Sequence, residues 1–199
     1  MDARYYIPVS IGILILAVFV YYRSLDRHHT NIRKLVIIAV MSAVATLGRF
    51  LFAAIPGFSP MAAVVILTGI YFGAEAGILC GTLAAFLSNF YFGQGPWTPF
   101  QMVILGLTGA VSAFVGPVIR KNGYLILPYG LICGVVYSLF MDIWTVLWSY
   151  GSFTPQAYLV AITAAVPYTI YYALANVIFL FLMLRPFGRK LARVSRQLS

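Results

Sequence analysis

Seven apolar runs, at 5–22, 34–54, 60–73, 76–92, 100–119, 124–148 and 157–184, take up most of this 199-residue chain and carry almost no charge. About 20 apolar residues cross the hydrocarbon core of a bilayer as a helix. Inside lipid each backbone N–H and C=O must be satisfied within its own segment, so runs of this length read as helices. The third run is short and barely spans. It is joined to the fourth by "YFGAEAG" (71–77), and the two read as a tight hairpin. With 9% charged residues and a mean hydropathy of +0.95, the pattern predicts an all-α integral membrane protein, one membrane domain with no soluble domain attached.

Charge sets the expected orientation. The link "RSLDRHHTNIRK" (23–34), Arg120 and Lys121, and the tail "RPFGRKLARVSRQ" (185–197) together hold eleven of the thirteen basic residues. The alternate connectors at 55–59, 93–99 and 149–156 hold no charge. The positive-inside bias then places the N-terminus outside and the C-terminus inside, with the uncharged connectors outside. The net charge of +9 is accounted for by these loops and does not point to nucleic acid. Residues 1–22 are not read as a cleaved leader: Asp2 and Arg4 precede the run, and Tyr21-Tyr22-Arg23 follows it where a small-residue cleavage site belongs. In the tail, Arg185, Arg189, Arg193 and Arg196 interleave with Leu184, Phe187, Leu191 and Val194. That is the spacing of a basic helix lying on anionic lipid or docking a partner.

Enzyme chemistry finds little to work with. The chain has no phosphate-cradling GxxxxGK[ST], no HExxH and no acidic pair, and only four acids in all. His28 and His29 are neighbours on a basic loop and read as solvated rather than metal-bound. Cys80 and Cys133 lie in apolar runs and read as buried structural thiols.

Polar residues inside the spans are few and ordered. Ser42, Thr46 and Arg49 share one helical face, as do Ser138, Asp142, Thr145 and Ser149, and again Tyr168, Tyr172 and Asn176. Such stripes face one another or a cavity. Arg49 and Asp142 lie at compatible depths and are candidates for an intramembrane pair, either structural or functional. On the outer side stands "FYFGQGPWTPFQM" (90–102), far more aromatic than a plain connector requires. Its rings and neutral amides, with Asn89, Tyr91, Gln94, Trp97, Thr98 and Gln101, suit a lid over a large, flat, partly polar organic ligand. The expected substrate site therefore joins these six to Arg49, Asp142, Thr145, Tyr168, Tyr172 and Asn176. Small residues Ala39 and Ala43, and Gly77, Gly81 and Ala85, form faces that let helices approach closely.

Over about 33–185 the chain resembles a substrate-binding S component of an energy-coupling factor (ECF) vitamin transporter. The resemblance rests on "RKLVIIAVMSAVATLGRF" with its Ala39-xxx-Ala43, and on "FSPMAAVVILTGIYFGAEAGILCGTLAAFLSNFYFGQGPWTPFQM". It implies a six-helix bundle at 33–185 that captures a vitamin near the outer face of a bacterial plasma membrane. It implies a transmembrane coupling subunit, met by Ala39 and Ala43, and two ATPase subunits. No catalytic cofactor is implied; the vitamin is the transported ligand. Residues 1–32 then form an extra N-terminal transmembrane helix with a basic link, and 186–199 a basic cytoplasmic tail. The aromatic loop is most like S components associated with cobalamin-type or unassigned substrates. Riboflavin or another flat heterocycle stays open, and the rival classes are a scaffold of the cell-shape machinery and a membrane-embedded enzyme.

Overall fold

The computed structural model describes residues 32–184 and 186–197, with positions 8, 11, 12, 15, 16 and 19, which are helical and exposed. The remainder of the expected N-terminal helix, the link with His28 and His29, and Arg185 lie outside the described residues. From residue 32 on, the helices are α1 (Ile32–Leu51), α2 (Met61–Phe72), α3 (Ala74–Phe92), α4 (Thr98–Lys121), α5 (Ile126–Tyr150), α6 (Pro155–Leu184) and α7 (Pro186–Arg196). The described residues contain no strand. Each helix lies within a few residues of an apolar run or of the basic tail that predicted it.

Five of them, α1, α3, α4, α5 and α6, are long and apolar enough to cross a membrane. Their exposed faces are apolar rather than charged. On α1, Leu35, Val36, Val40, Val44 and Leu47 point outward, while Ile38, Met41, Ser42, Ala45 and Thr46 are buried. The inward set repeats every three or four residues, as a helix with one packed face requires. The outward set has no charge because its solvent is hydrocarbon.

α2 is different. It has 12 residues, ten of them buried, and sits at the centre of the bundle. At 1.5 Å per residue it is about 18 Å long, well short of a bilayer core of about 30 Å. It ends at Gly73, whose φ of 95° is open to glycine and strained for other residues, and α3 starts at the next residue. That single glycine makes the predicted hairpin.

The α2–α3–α4 layer closes on glycine. Gly77 of α3 and Gly109 of α4 meet backbone to backbone, Gly81 lies on Leu105 and Gly106, and Gly69 of α2 lies on Gly109. Without side chains in the way, dispersion and weak polar contacts act between the backbones themselves. α5 and α6 form a second antiparallel pair, with Gly134 against Ala173. α7 lies under α2: Ser195 Oγ donates to the Tyr71 carbonyl (2.6 Å), Leu191 and Val194 pack on the core, and Arg189, Lys190 and Arg193 stay exposed. Lys34 and Glu75 form an ion pair (3.6 Å) at this same end. The basic residues of α1, α4 and α7 therefore gather at one end of the bundle, and the uncharged connectors 52–60 and 93–97 lie at or toward the other.

The seam makes a test. Gly109→Leu has no room for its side chain against Gly77 and is expected to destabilise by about 1–3 kcal/mol or more. Leu107→Phe, on the exposed face of the same helix, is expected to change little. Melting temperatures in detergent read both.

Candidate functional site

Because α2 is short, the chain leaving α1 must descend into the bundle to reach it. Residues 52–60 make that descent as a non-helical connector, held by turns from Ile55 N–H to the Phe52 carbonyl (3.0 Å) and Phe58 N–H to the Ile55 carbonyl (3.1 Å). Irregular backbone at membrane depth is tolerated where protein buries it or where it lines a cavity. Here it does the second. A cavity of about 310 Å³ lies beneath the connector, walled by residues of α1, α2, α4, α5 and α6 and by Phe92 of α3.

Three rings fix the connector in place. Phe52 and Phe58 both pack against Phe179 of α6, at centroid distances of 4.9 and 5.1 Å, and against each other at 5.8 Å. Gly57 has a φ of 79° and lies on the Tyr172 ring, so a Cβ there meets both backbone strain and the ring. The opposite wall is a T-shaped pair, Tyr137 and Tyr172, at 4.9 Å. Gln101, Leu105, Gly134 and Asn176 complete it.

Among the described residues, Arg49 is the one charged residue in the lining. Its Nη1 donates to Ser88 Oγ (2.6 Å) and Asn89 Oδ1 (2.9 Å), and the Phe92 ring covers the guanidinium face at 4.4 Å. Asn89 in turn donates to Thr98 Oγ1 (2.9 Å) and Gln101 Oε1 (2.8 Å). Gln101 Nε2 donates onward to Tyr137 Oη (3.2 Å). Thr98 donates to Gln94 Oε1 (3.0 Å), and Gln94 Nε2 to the Phe86 carbonyl (2.9 Å). One connected network thus runs from the cation through the end of α3 to the tyrosine wall.

Of the residues expected to bind substrate, Arg49, Gln101, Tyr172 and Asn176 line this cavity. Asn89, Gln94 and Thr98 stand behind it in the network. Trp97 does not line it. Its ring packs edge-on against Trp144 (5.8 Å), which stacks on Trp148 (6.2 Å), so it clamps the 93–97 connector to α5. Tyr91 is exposed beside Phe50 (4.8 Å). Tyr168 is half exposed, and Thr145 is exposed and donates to the Met141 carbonyl of its own helix (3.2 Å).

The expected Arg49–Asp142 pair does not form. Arg49 turns toward α3, where two oxygens await it. Asp142 shares the face of Ser138, which bonds Thr169 of α6 (2.7 Å). Asp142 is buried there, and its Oδ2 has no partner among the described residues. Cys80 is buried against Thr68 (3.6 Å), outside the lining.

The reading of the sequence missed the connector itself, with Phe52, Gly57, Phe58 and Ser59, and it missed Tyr137. The signal for the first was present: "FAAIPGFSP" (52–60) is uncharged, turn-rich and carries two rings just before a helix too short to span.

The network is expected to be stiff. Asn89→Leu strands the Gln101 Oε1, leaves Thr98 Oγ1 with the Gly95 N–H as its remaining donor (3.3 Å), and removes one of the two acceptors of Arg49, at a cost of about 1–3 kcal/mol. Tyr91→Leu, on the exposed side of the same turn, is expected to stay within about 0.5 kcal/mol of the parent. Thermal unfolding followed by tryptophan fluorescence separates the two.

A family model described as "ECF transporter, substrate-specific component" matches residues 33–194, well over half of the chain. No curated protein and no solved structure matches.

Proposed function

The chain belongs to the family of ECF transporter substrate-specific components, a substrate-binding membrane subunit of a transporter, and we propose that it holds its substrate in the cavity beneath the 52–60 connector. The observation that carries this reading is a cavity lined by aromatic rings and a cation, at the point where the backbone gives up helical structure within the bundle.

The substrate is a vitamin-sized organic molecule. A volume of about 310 Å³ is near the lower end of ligand sites. That supports a compact flat heterocycle over the cobalamin that the aromatic loop brought forward, since a corrinoid is several times larger. The tyrosine pair and Phe58 supply ring contacts, and Gln101 and Asn176 supply hydrogen bonds. Arg49, Gln101, Tyr172 and Asn176 are the direct contacts in this proposal, with Asn89, Gln94 and Thr98 as support.

Orientation and partners follow the charge. The basic end faces the cytoplasm of a bacterial cell and the connectors face outward, which puts the N-terminus outside and the C-terminus inside. The bundle proper spans 33–185, preceded by an additional membrane helix and followed by the basic tail of 186–199. Nothing in the sequence hydrolyses ATP, so energy comes from a coupling membrane subunit and two ATPase subunits. Ala39 and Ala43 are exposed on the cytoplasmic half of α1 and form the flat face for that contact.

Two outcomes test this. Tyr172→Ala removes a wall of the cavity and is expected to weaken substrate binding at least tenfold, or about 1.4 kcal/mol. Trp97→Ala, outside the lining, is expected to lower the melting temperature and leave affinity within about threefold, or roughly 0.6 kcal/mol. Loss of affinity in Trp97→Ala alone contradicts the site. Separately, Ala39→Trp with Ala43→Trp is expected to keep binding in detergent and to abolish uptake by vesicles that carry the coupling and ATPase subunits. Normal uptake by that double variant moves the coupling face elsewhere.

A further inference from the structure

We infer that the substrate is an anion, a compound whose carboxylate or similarly forked acidic group docks on Arg49. The inference rests on the cavity being the substrate site. Three features of Arg49 point the same way.

First, among the described residues no acid neutralises it, and no Asp or Glu lines the cavity. Among the described residues Glu75 is paired with Lys34 at the far end of the bundle, and Asp142 makes no ion pair and stands outside the lining. A charge within a membrane bundle is normally paired or set against a wet site. Here the missing partner has a place to sit.

Second, two of the five guanidinium donors are used. An arginine has five N–H donors in a planar fork. Both donors of Nη1 are taken, by Ser88 and Asn89. Nε and Nη2 have no hydrogen-bond acceptor among the described residues, and both keep some accessible surface on a residue that lines the cavity. The edge left over is the Nε–Nη2 edge, whose two parallel N–H groups match the two oxygens of a carboxylate.

Third, that edge is held still. The Phe92 ring fixes the plane from one face, at 4.4 Å. Asn89, itself anchored by Thr98 and Gln101, fixes the rotation. A fork oriented before the ligand arrives loses little freedom on binding, which is how preorganised sites gain affinity. The neutral groups on the other walls complement this. Rings of Tyr137, Tyr172 and Phe58 take the flat body of the molecule, while the acid end reaches Arg49. A neutral or cationic substrate would leave the Nε–Nη2 edge buried without an acceptor, and a cation would also meet a like charge.

The experiment uses the full-length purified protein and an equimolar mixture of water-soluble vitamins. Carboxylic acids such as nicotinate and biotin compete there with uncharged or cationic compounds such as nicotinamide, riboflavin and thiamine. After desalting, mass spectrometry identifies what stays bound. The expected result is retention of an acid, falling at least tenfold in Arg49→Gln and partly restored in Arg49→Lys, which keeps the charge and loses the fork. Circular dichroism and thermal unfolding confirm that both variants fold. If one does not, competition between the retained acid and its own amide on the parent protein gives the same information, with the acid at least tenfold tighter. Retention of a neutral or cationic compound, or of an acid whose binding ignores Arg49→Gln or amidation, overturns the anion inference. In that case loss of binding in Tyr172→Ala shows that the cavity reading stands. Retention of nothing from the mixture, or retention untouched by Tyr172→Ala, overturns the cavity reading and this inference with it.

Discussion

A 12-residue helix at the centre of a membrane bundle forces its neighbours to compensate. α2 is too short to cross, so the chain that enters it must come down from the end of α1 without helical hydrogen bonds. Backbone polar groups left open at that depth need turns, protein or a wet cavity. The 52–60 connector uses all three: its own turns, the Phe52–Phe58–Phe179 cluster, and the space it encloses. The cavity follows directly from a helix that stops halfway.

The same economy holds α2 in place. Ten of its residues are buried, so lipid contributes little to its position and close packing must do so. The glycine contacts of α2, α3 and α4 supply that packing and join the three helices into one close-packed layer. Against it the α5–α6 pair presents Tyr137, Tyr172 and Asn176. The cavity thus lies between that layer and the α5–α6 pair, with Arg49 anchored to α3 through Ser88 and Asn89. The many rings and amides after α3 have a mechanical use. Trp97 ties that connector to Trp144, and Gln94 and Thr98 support Asn89.

Most of the helical layout was legible from apolar periodicity and length, because lipid enforces both. The short α2 and the Gly73 turn could be read from "FSPMAAVVILTGIYFGAEAG". The family was legible from the longer run 58–102 that holds this stretch, taken together with "RKLVIIAVMSAVATLGRF" (33–50). The lining was legible only in part. Helical spacing groups residues on a face and does not say which neighbour that face meets. Ser138 and Asp142 do share a stripe, and it turns to α6; Tyr137, one residue away, faces the cavity. Arg49 was singled out as an intramembrane charge, but its partners are neutral oxygens 39 and 40 residues away, which no local pattern reveals. Aromatic mass drew the eye to 93–97, although the more modest connector at 52–60 encloses the cavity.

Hydrogen–deuterium exchange tests the central claim most directly, that the substrate sits beneath the 52–60 connector. The protein is compared free and loaded with the compound it retains from the vitamin mixture. Binding there is expected to slow exchange in peptides covering 52–60 and the Tyr172 turn of α6, with little change at 93–97. Protection confined to 93–97, with 52–60 exchanging as in the free protein, would contradict it.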